Sequence, residues 1–265
     1  MNFLFWNIKG LDLFPELVRL ASTNAVDVLV LAECKDPVKT ELALTRDVRT
    51  YYRVTTDESK VQVFTAFSDS LSKLIDDGPI FAAIDMHPPL MPRMLVIGVH
   101  MPSKLHQGPD SQALLTVALA DRVRAIEARL CHTNTLLIGD LNMDPFESGV
   151  VGAKGLHAVS VAAVANRGSR TVSGEPYDFF YNPSWAHMSD RVDGPPGTYY
   201  RSASEHVGYF WHSLDQALLR PALTKLFKRD GLRVLDVAGT TPLMREGRPA
   251  VSDHLPILLT LKEEA

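Results

Sequence analysis

The sequence predicts an α/β fold in which two sheets pack face to face and helices cover them. Short apolar runs recur along the chain and end in polar residues. Segments with helical spacing lie between some of these runs. The two kinds mix without the strict alternation of a parallel βαβ protein, which favours a layered sheet-on-sheet core over a Rossmann arrangement.

The elements follow in order. "NFLFWNI" is short, apolar and aromatic, the composition of a strand, and "LFPELVRLASTN" places Leu13, Leu17 and Leu20 at helical spacing. "AVDVLVLAE" is a continuous apolar run ending in an acid, which suits a strand buried on both faces. The stretch from Val38 to Val48 reads as a helix. "VQVFTAFS", "IFAAIDM" and "MLVIGVH" read as successive strands, with "PPLMPR" turning between the last two. From Ser111 to Leu130, Leu114, Leu115, Ala118, Leu119, Val123 and Ile126 mark a long amphipathic helix. "TLLIGDLN", "SLDQALL", "LRVLDV" and "LPILLTL" supply the remaining strands. No repeat or low-complexity linker interrupts the chain, so one domain over residues 1–265 is expected.

Bulk composition excludes several classes. With 46% hydrophobic and 22% charged residues the chain is ordinary globular protein. A formal net charge of -4 argues against a passive, charge-driven nucleic-acid binder, although an enzyme's phosphate contacts can be local. Cys34 and Cys131 make neither a disulfide framework nor a metal-binding pair. The start "MNFLFWNIKG" has no basic region, and no apolar stretch is long enough to span a bilayer. A cytoplasmic protein without a membrane partner is the expectation.

Polar residues stand where the apolar runs stop. Asn7 closes the first strand, Glu33 the second, His100 "MLVIGVH", and Asp140 with Asn142 the strand "TLLIGDLN". Asp215 lies in "SLDQ", and Asp253 and His254 lie in "SDHLP". Each alone reads as a turn residue, a cap or a solvated side chain. Strand alternation lets Asp140 and Asn142 face one cleft, before Asp144-Pro145 shuts the strand off. Jointly the set supplies hard oxygen ligands, two imidazoles and amide donors. That inventory suits hydrolysis of a phosphate ester: a cation neutralises non-bridging oxygens, a carboxylate orients and deprotonates water, and donors stabilise growing charge.

The ordered set "WN", "LAE", "GVHMPSK", "GDLNMDP", "SLDQ" and "SDHLP" resembles the endonuclease/exonuclease/phosphatase superfamily, from Asn7 to the last strand. The resemblance implies a four-layer α/β/β/α sandwich of two packed, mostly antiparallel mixed sheets. It implies Glu33 as the main ligand of Mg²⁺ (Mn²⁺ as the alternative ion), helped by Asn7 and, through water, Asp253; so sparse a ligand set suits Mg²⁺. It implies Asp140 as activator of the attacking water, and Asn142 as its holder or that of a phosphoryl oxygen. By the same resemblance His254 donates to the phosphate with Asp215 on its other ring nitrogen, and His100 meets the scissile phosphate or the leaving oxygen. Lys104 stands four residues beyond His100, within reach of a phosphate. Ala32 stands where many relatives carry glutamine, "SLDQ" lacks the arginine of Arg-Ile-Asp, and His100 replaces the tyrosine of abasic-site enzymes.

Fold does not choose the substrate. Between Glu175 and Trp211 the chain is rich in glycine, proline and aromatics, and so long an irregular connection is usually functional or mobile. Tyr181, Trp185 and Trp211 in it offer stacking faces for bases, and Arg167, Arg170, Arg191 and Arg201 flank it; "YDFFY" and "YFW" also read partly as core strands. Three readings compete: a Mg²⁺-dependent nuclease with DNA or RNA as substrate, a phosphatase or phosphodiesterase acting on a small or lipid substrate, and a binding protein of the same fold that has lost catalysis. A lipid hydrolase calls for an exposed apolar hairpin or amphipathic anchor; none is evident in the sequence. The nuclease leads.

Overall fold

The computed structural model describes residues 1–104, 108–190, 193–202, 204 and 206–263. The strands of its two large sheets are β1 (Asn2–Asn7), β2 (Val28–Ala32), β3 (Tyr52–Val54), β4 (Gln62–Thr65), β5 (Ser72–Gly78), β6 (Phe81–Met86), β7 (Met94–His100), β8 (Thr135–Asp140), β9 (Ala158–Val159), β10 (Phe180–Tyr181), β11 (Asp215–Leu219), β12 (Phe227–Val234) and β13 (Ile257–Leu261). One sheet runs β12-β13-β1-β2-β4-β3 and the other β5-β6-β7-β8-β11-β10-β9. Only β1/β2, β7/β8 and β9/β10 pair in parallel, so both sheets are mixed and mostly antiparallel.

Alternation along the central strands builds the layers. In β7 and β8, Val96, Leu136 and Ile138 join the cluster that holds Phe3, Phe5, Leu29 and Leu31 of the other sheet. Their neighbours Leu95, Ile97, Val99 and Leu137 turn to the opposite face, where Leu119, Val123 and Ile126 of helix α3 (Pro109–Leu130) cover them. Helices α1 (Phe14–Thr23) and α2 (Pro37–Asp47) add Leu17, Leu20 and Leu44 to the first cluster. The result is the four-layer α/β/β/α sandwich. Each fully buried aliphatic or phenylalanine side chain contributes roughly 1.5–3 kcal/mol, against which the entropy of ordering it must be set.

Two glycines allow close approach. A Cβ on Gly98 would meet Val30 of the opposing sheet and Val61, just before β4, each at 2.9 Å, and one on Gly139 would strike the Val99 carbonyl at 2.0 Å. The second lies next to Asp140, so the backbone beneath the site has no room for a side chain there.

A buried ion pair ties α3 to the second sheet. Arg220, just past β11, donates to Glu127 of α3 at 2.8 and 2.9 Å, and both residues are buried. Arg220 also donates to the Phe179 carbonyl at 3.1 Å and lies 4.0 Å from the Phe180 ring centroid, while Thr135 donates to Glu127 at 2.6 Å.

Some elements differ from expectation. β5 has the polar sequence SKLIDDG, invisible to a hydrophobicity reading because it is an edge strand. "VQVFTAFS" contributes only Gln62–Thr65, and "LRVLDV" continues a strand that starts earlier, at Phe227, and stops at Val234. Leu114 is 71% exposed, off the buried stripe of α3. The aromatic segment is more regular than a loop. Ser169–Val172 pairs with Glu175–Asp178, Pro183–His187 is a 3₁₀ turn, and Tyr199–Tyr200 pairs with Trp211–His212. Both cysteines are free, and among the described residues no helix is long and apolar enough to cross a membrane.

Candidate active site

Sheet topology delivers the polar residues to one edge. β1, β2, β7 and β8 all end there, and the antiparallel β11 and β13 begin there. In register, Asp140 lies between His100 on β7 and Asp215 on β11, and Asn7 lies opposite Ala32, the residue before Glu33. Asp140 has the parity of Leu136 and Ile138, so its side chain points into the seam between the sheets.

The contacts are dense. Asn7 Nδ2 donates to Glu33 Oε1 at 3.2 Å and to Asp140 Oδ2 at 3.1 Å. His100 Nε2 stands 3.8 Å from Glu33 Oε1 and 3.9 Å from Asp140 Oδ2. His254 Nε2 approaches the same Asp140 oxygen at 3.9 Å, and its Nδ1 bonds both oxygens of Asp215 at 2.8 and 3.1 Å. Trp6 donates to the His254 carbonyl at 2.8 Å, which anchors the last loop to the first strand. Asn7, Glu33, His100, Asp140, Asp215 and His254 therefore form one cluster.

Burial sets the electrostatics. Desolvation pushes the Asp140 carboxyl up to about 6, with Asp215 adding to the rise against the pull of His254 and His100. Desolvation alone would lower His254, but the charges of Asp215 and Asp140 and the Asp215 hydrogen bond outweigh it and raise the imidazole to about 10. Near neutral pH the cluster holds an imidazolium beside a carboxylate that ionises readily above pH 6. His254 binds its proton more tightly folded than unfolded, where it titrates near 6.5. Its stabilisation is therefore complete below pH 6.5 and lost as pH rises through about 10. Urea titrations in chelator should show stability falling across that window, with the fall abolished in His254→Gln; a flat profile in the parent chain contradicts the assignment.

Other candidates are placed differently. β8 stops at Asp140, and Asn142 adopts left-handed backbone at φ +50°, as Glu33 does at +55°. Asn142 therefore does not continue the alternation. Its backbone N–H donates to Asp140 Oδ1 at 2.8 Å and its side-chain amide to the Met101 carbonyl at 2.8 Å. The Asp253 carboxylate is paired with Lys9 at 2.8 Å. Lys104 is paired with Glu147 at 2.5 Å and its side chain is partly exposed. Tyr181 pairs with Leu219, at the end of β11 remote from Asp215, and packs against Phe227; it belongs to the core rather than to a stacking surface. Trp211 is also partly core, with its ring 5.4 Å from that of Tyr200. Trp185 and Arg170 line a separate cavity. Arg191 lies outside the described residues.

Two features were not legible in advance. His212 Nδ1 bonds Asp144 Oδ2 at 2.7 Å, and the other Asp144 oxygen accepts the Ser213 N–H at 2.9 Å, giving a second acid–imidazole pair. The Tyr199 ring lies between the two imidazoles, 4.9 Å from His254 and 6.4 Å from His212. Asp144 stands inside "GDLNMDP", but its partner is 68 residues away, a pairing no local pattern reveals. The second feature is the hairpin formed by the pairing of Tyr199–Tyr200 with Trp211–His212, which exposes Val207, Tyr209 and Phe210. It corrects the sequence-based expectation that no exposed apolar hairpin exists.

A divalent cation fits this donor set. Glu33, Asp140 and Asp215 bring three carboxyl groups to a cluster whose strongest cation is one imidazolium, and the Glu33 side chain is 43% exposed. The oxygens of Asp140 and Asp215 and a nitrogen of His254 also come within 4.8 Å of one another, but His254 and Asp215 are engaged with each other. Asn7 turns its N–H2 to the carboxylates and its oxygen to the Lys9 N–H at 3.0 Å. The open hard oxygens belong to Glu33, which suits a weakly held, largely hydrated Mg²⁺ or Mn²⁺.

Comparison with known proteins agrees with this architecture. The model of the Endonuclease/Exonuclease/phosphatase family matches residues 4–254. A search of curated proteins returns no match. Among solved structures, truncated TDP2 of Caenorhabditis elegans is similar with a TM-score of 0.58 at 15% identity, covering 98% of this chain and 97% of that one. The 3′ phosphatase NExo of Neisseria, bound to a product DNA hairpin, gives 0.55 at 16% identity, covering 99% of each chain. The endonuclease domain of TRAS1, a telomere-specific non-LTR retrotransposon, gives 0.54 at 10% identity, covering 100% of this chain and 99% of that one. At these identities the likeness is one of fold.

Proposed function

Because the chain belongs to the endonuclease/exonuclease/phosphatase family, whose members hydrolyse phosphodiester or phosphate bonds, we propose that it is a nuclease, cleaving DNA or RNA by in-line attack of water with the help of Mg²⁺ or Mn²⁺. The reading takes residues 1–265 as one catalytic domain. A single observation carries it: one buried carboxylate, Asp140, held between two imidazoles, with the open carboxylate of Glu33 beside it.

The chain's own groups divide the work. Asp140, half-ionised near pH 6, takes the proton of the attacking water. Asn142 fixes the Asp140 carboxylate through its backbone N–H, so the lone pair that takes the proton is held in place. His254, kept charged by Asp215, donates Nε2–H to a non-bridging oxygen as negative charge grows there. His100, on the other side of Asp140, faces the leaving oxygen. Glu33 would hold the cation, with Asn7 and, through water, Asp253 beside it. A divalent ion held there would supply neutralisation of phosphoryl charge and a lowered pKa for coordinated water.

Nucleic acid is favoured by what flanks the cluster. Phe146, Trp185 and Tyr209 form an aromatic group, with centroids 6.4 and 5.3 Å apart, that continues through Tyr209 to His212 at 6.2 Å. The similar structures named TRAS1 endonuclease and NExo, the latter bound to DNA, point the same way. A second reading, a phosphoesterase acting on lipid, draws on the exposed Val207, Tyr209 and Phe210.

A panel assay with Mg²⁺ separates the readings: single- and double-stranded DNA, RNA, cyclic dinucleotides, inositol phosphates and sphingomyelin. Nucleic acids should be cleaved, EDTA should remove the activity, and Mg²⁺ or Mn²⁺ should restore it. Robust turnover in chelator contradicts the role given to Glu33, and cleavage of sphingomyelin alone selects the second reading.

A further inference from the structure

A cavity of about 540 Å³ lies on the flank of the aromatic group, away from the carboxylate cluster. Its walls include Val159, Val164, Phe179 and Trp185, with Arg167 and Arg170 among the lining residues and no carboxylate. Neither arginine forms an ion pair among the described residues.

Arg170 is held in place. Its Nε donates to Nε2 of His157 at 2.8 Å, and His157, itself buried, directs Nδ1 to the Asp178 carbonyl at 3.2 Å. Those two bonds define one tautomer, with the proton on Nδ1 and the lone pair of Nε2 turned to the arginine. Desolvation and the Arg170 charge lower the imidazole's affinity for a second proton, which keeps that lone pair available. The His157 ring is stacked on Phe179 at 4.2 Å, so the brace is itself rigid. A neutral buried histidine thus fixes the long axis of Arg170 and leaves both Nη groups for another acceptor. A guanidinium oriented in this way has little entropy left to lose on binding a phosphate.

The other walls indicate what accompanies the anion. Trp185 presents an aromatic surface. An apolar chamber, an aromatic side chain and two arginines without ion partners among the described residues fit a planar heterocycle that carries a phosphate. Trp185 also contacts Phe146, whose other neighbour is Tyr209, the ring beside His212. A ligand in the cavity is therefore joined to the hydrolytic cluster by a row of aromatic side chains.

We propose that this cavity is a remote nucleotide subsite, binding one base and its phosphate from a single strand whose scissile bond lies at the Asp140–His254 cluster. The inference rests on the nuclease reading for the identity of the ligand, and it makes that substrate an extended single strand rather than an isolated phosphate ester. Specificity would then be for strand length: short esters reach the cluster only, and longer strands engage both ends.

Two measurements test it on the full chain. Binding of a fluorescent single-stranded DNA octanucleotide is followed by anisotropy in EDTA, where no turnover interferes, and hydrolysis of bis(p-nitrophenyl) phosphate is followed in Mg²⁺. Arg170→Gln and Arg167→Gln should each weaken octanucleotide binding about tenfold, the size of a lost charge-assisted phosphate contact. Hydrolysis of the small ester should match the parent chain. Arg167 is exposed, so its variant decides the matter if Arg170→Gln disturbs the His157 brace. Unchanged octanucleotide affinity in Arg167→Gln overturns the subsite. A parent chain that binds the octanucleotide through these arginines yet hydrolyses no phosphodiester overturns the nuclease reading and leaves the subsite standing.

Discussion

Asp140→Asn should reduce kcat by about 10³-fold, the loss expected when a positioned general base is replaced by an amide of the same shape. The fold should survive. Asn7 can still donate to the remaining carbonyl oxygen, and the parent carboxylate is already costly to ionise because it is buried. The amide can accept from only one of the two present donors, Asn7 and the Asn142 N–H, so thermal stability in chelator should fall modestly while unfolding stays cooperative, which separates loss of chemistry from loss of structure. His254→Ala should cost about 10²–10³-fold through the missing donor to the phosphoryl oxygen. It also leaves Asp215 buried with one partner fewer, so the conservative His254→Gln belongs in the same series. Steady-state kinetics on a cleaved strand and on a chromogenic diester check both values. Near-parent turnover in Asp140→Asn removes that residue from the mechanism.

Arg220→Met should destabilise the fold by about 3–5 kcal/mol, the range for breaking a buried ion pair from one side. The pair closes α3 onto β11, and without the guanidinium Glu127 keeps only the Thr135 hydroxyl in a buried site. The Phe179 carbonyl loses its donor in the same step. Adding Glu127→Leu should recover most of the loss, because two apolar side chains avoid the desolvation that one stranded carboxylate suffers. Urea unfolding of the single and double variants checks this. Equal stabilities for the parent and Arg220→Met would mean that water reaches Glu127 and the site is not dry.

The polar cluster at the sheet edge was legible because each of its residues stands where an apolar run stops or begins. Asn7, Glu33, His100 and Asp140 close strands, and Asp215 and His254 precede or open strands that run the other way, so one sheet edge collects them. Residues off that rule were not legible. Asn142 obeys strand parity on paper, but the chain leaves β-geometry at Asp140. The ion pairs of Lys104 with Glu147 and of Asp253 with Lys9 are likewise tertiary contacts that no local pattern reveals. Tyr181 is aromatic in an aromatic-rich segment, but its partner Leu219 lies at the wrong end of β11. β5 escaped notice because an edge strand need not be apolar, and the Asp144–His212 pair because its members meet only through the tertiary fold.

The left-handed backbone at Glu33 and Asn142 bears on how the protein responds to selection. Glycine relieves such a conformation by about 1 kcal/mol, so a screen for heat resistance alone would drift toward glycine at both positions. A glycine at 142 keeps the backbone N–H that holds Asp140, whereas a glycine at 33 removes the exposed carboxylate from the cluster. At Glu33 durability is therefore set against the cluster's open carboxylate, and at Asn142 it is not.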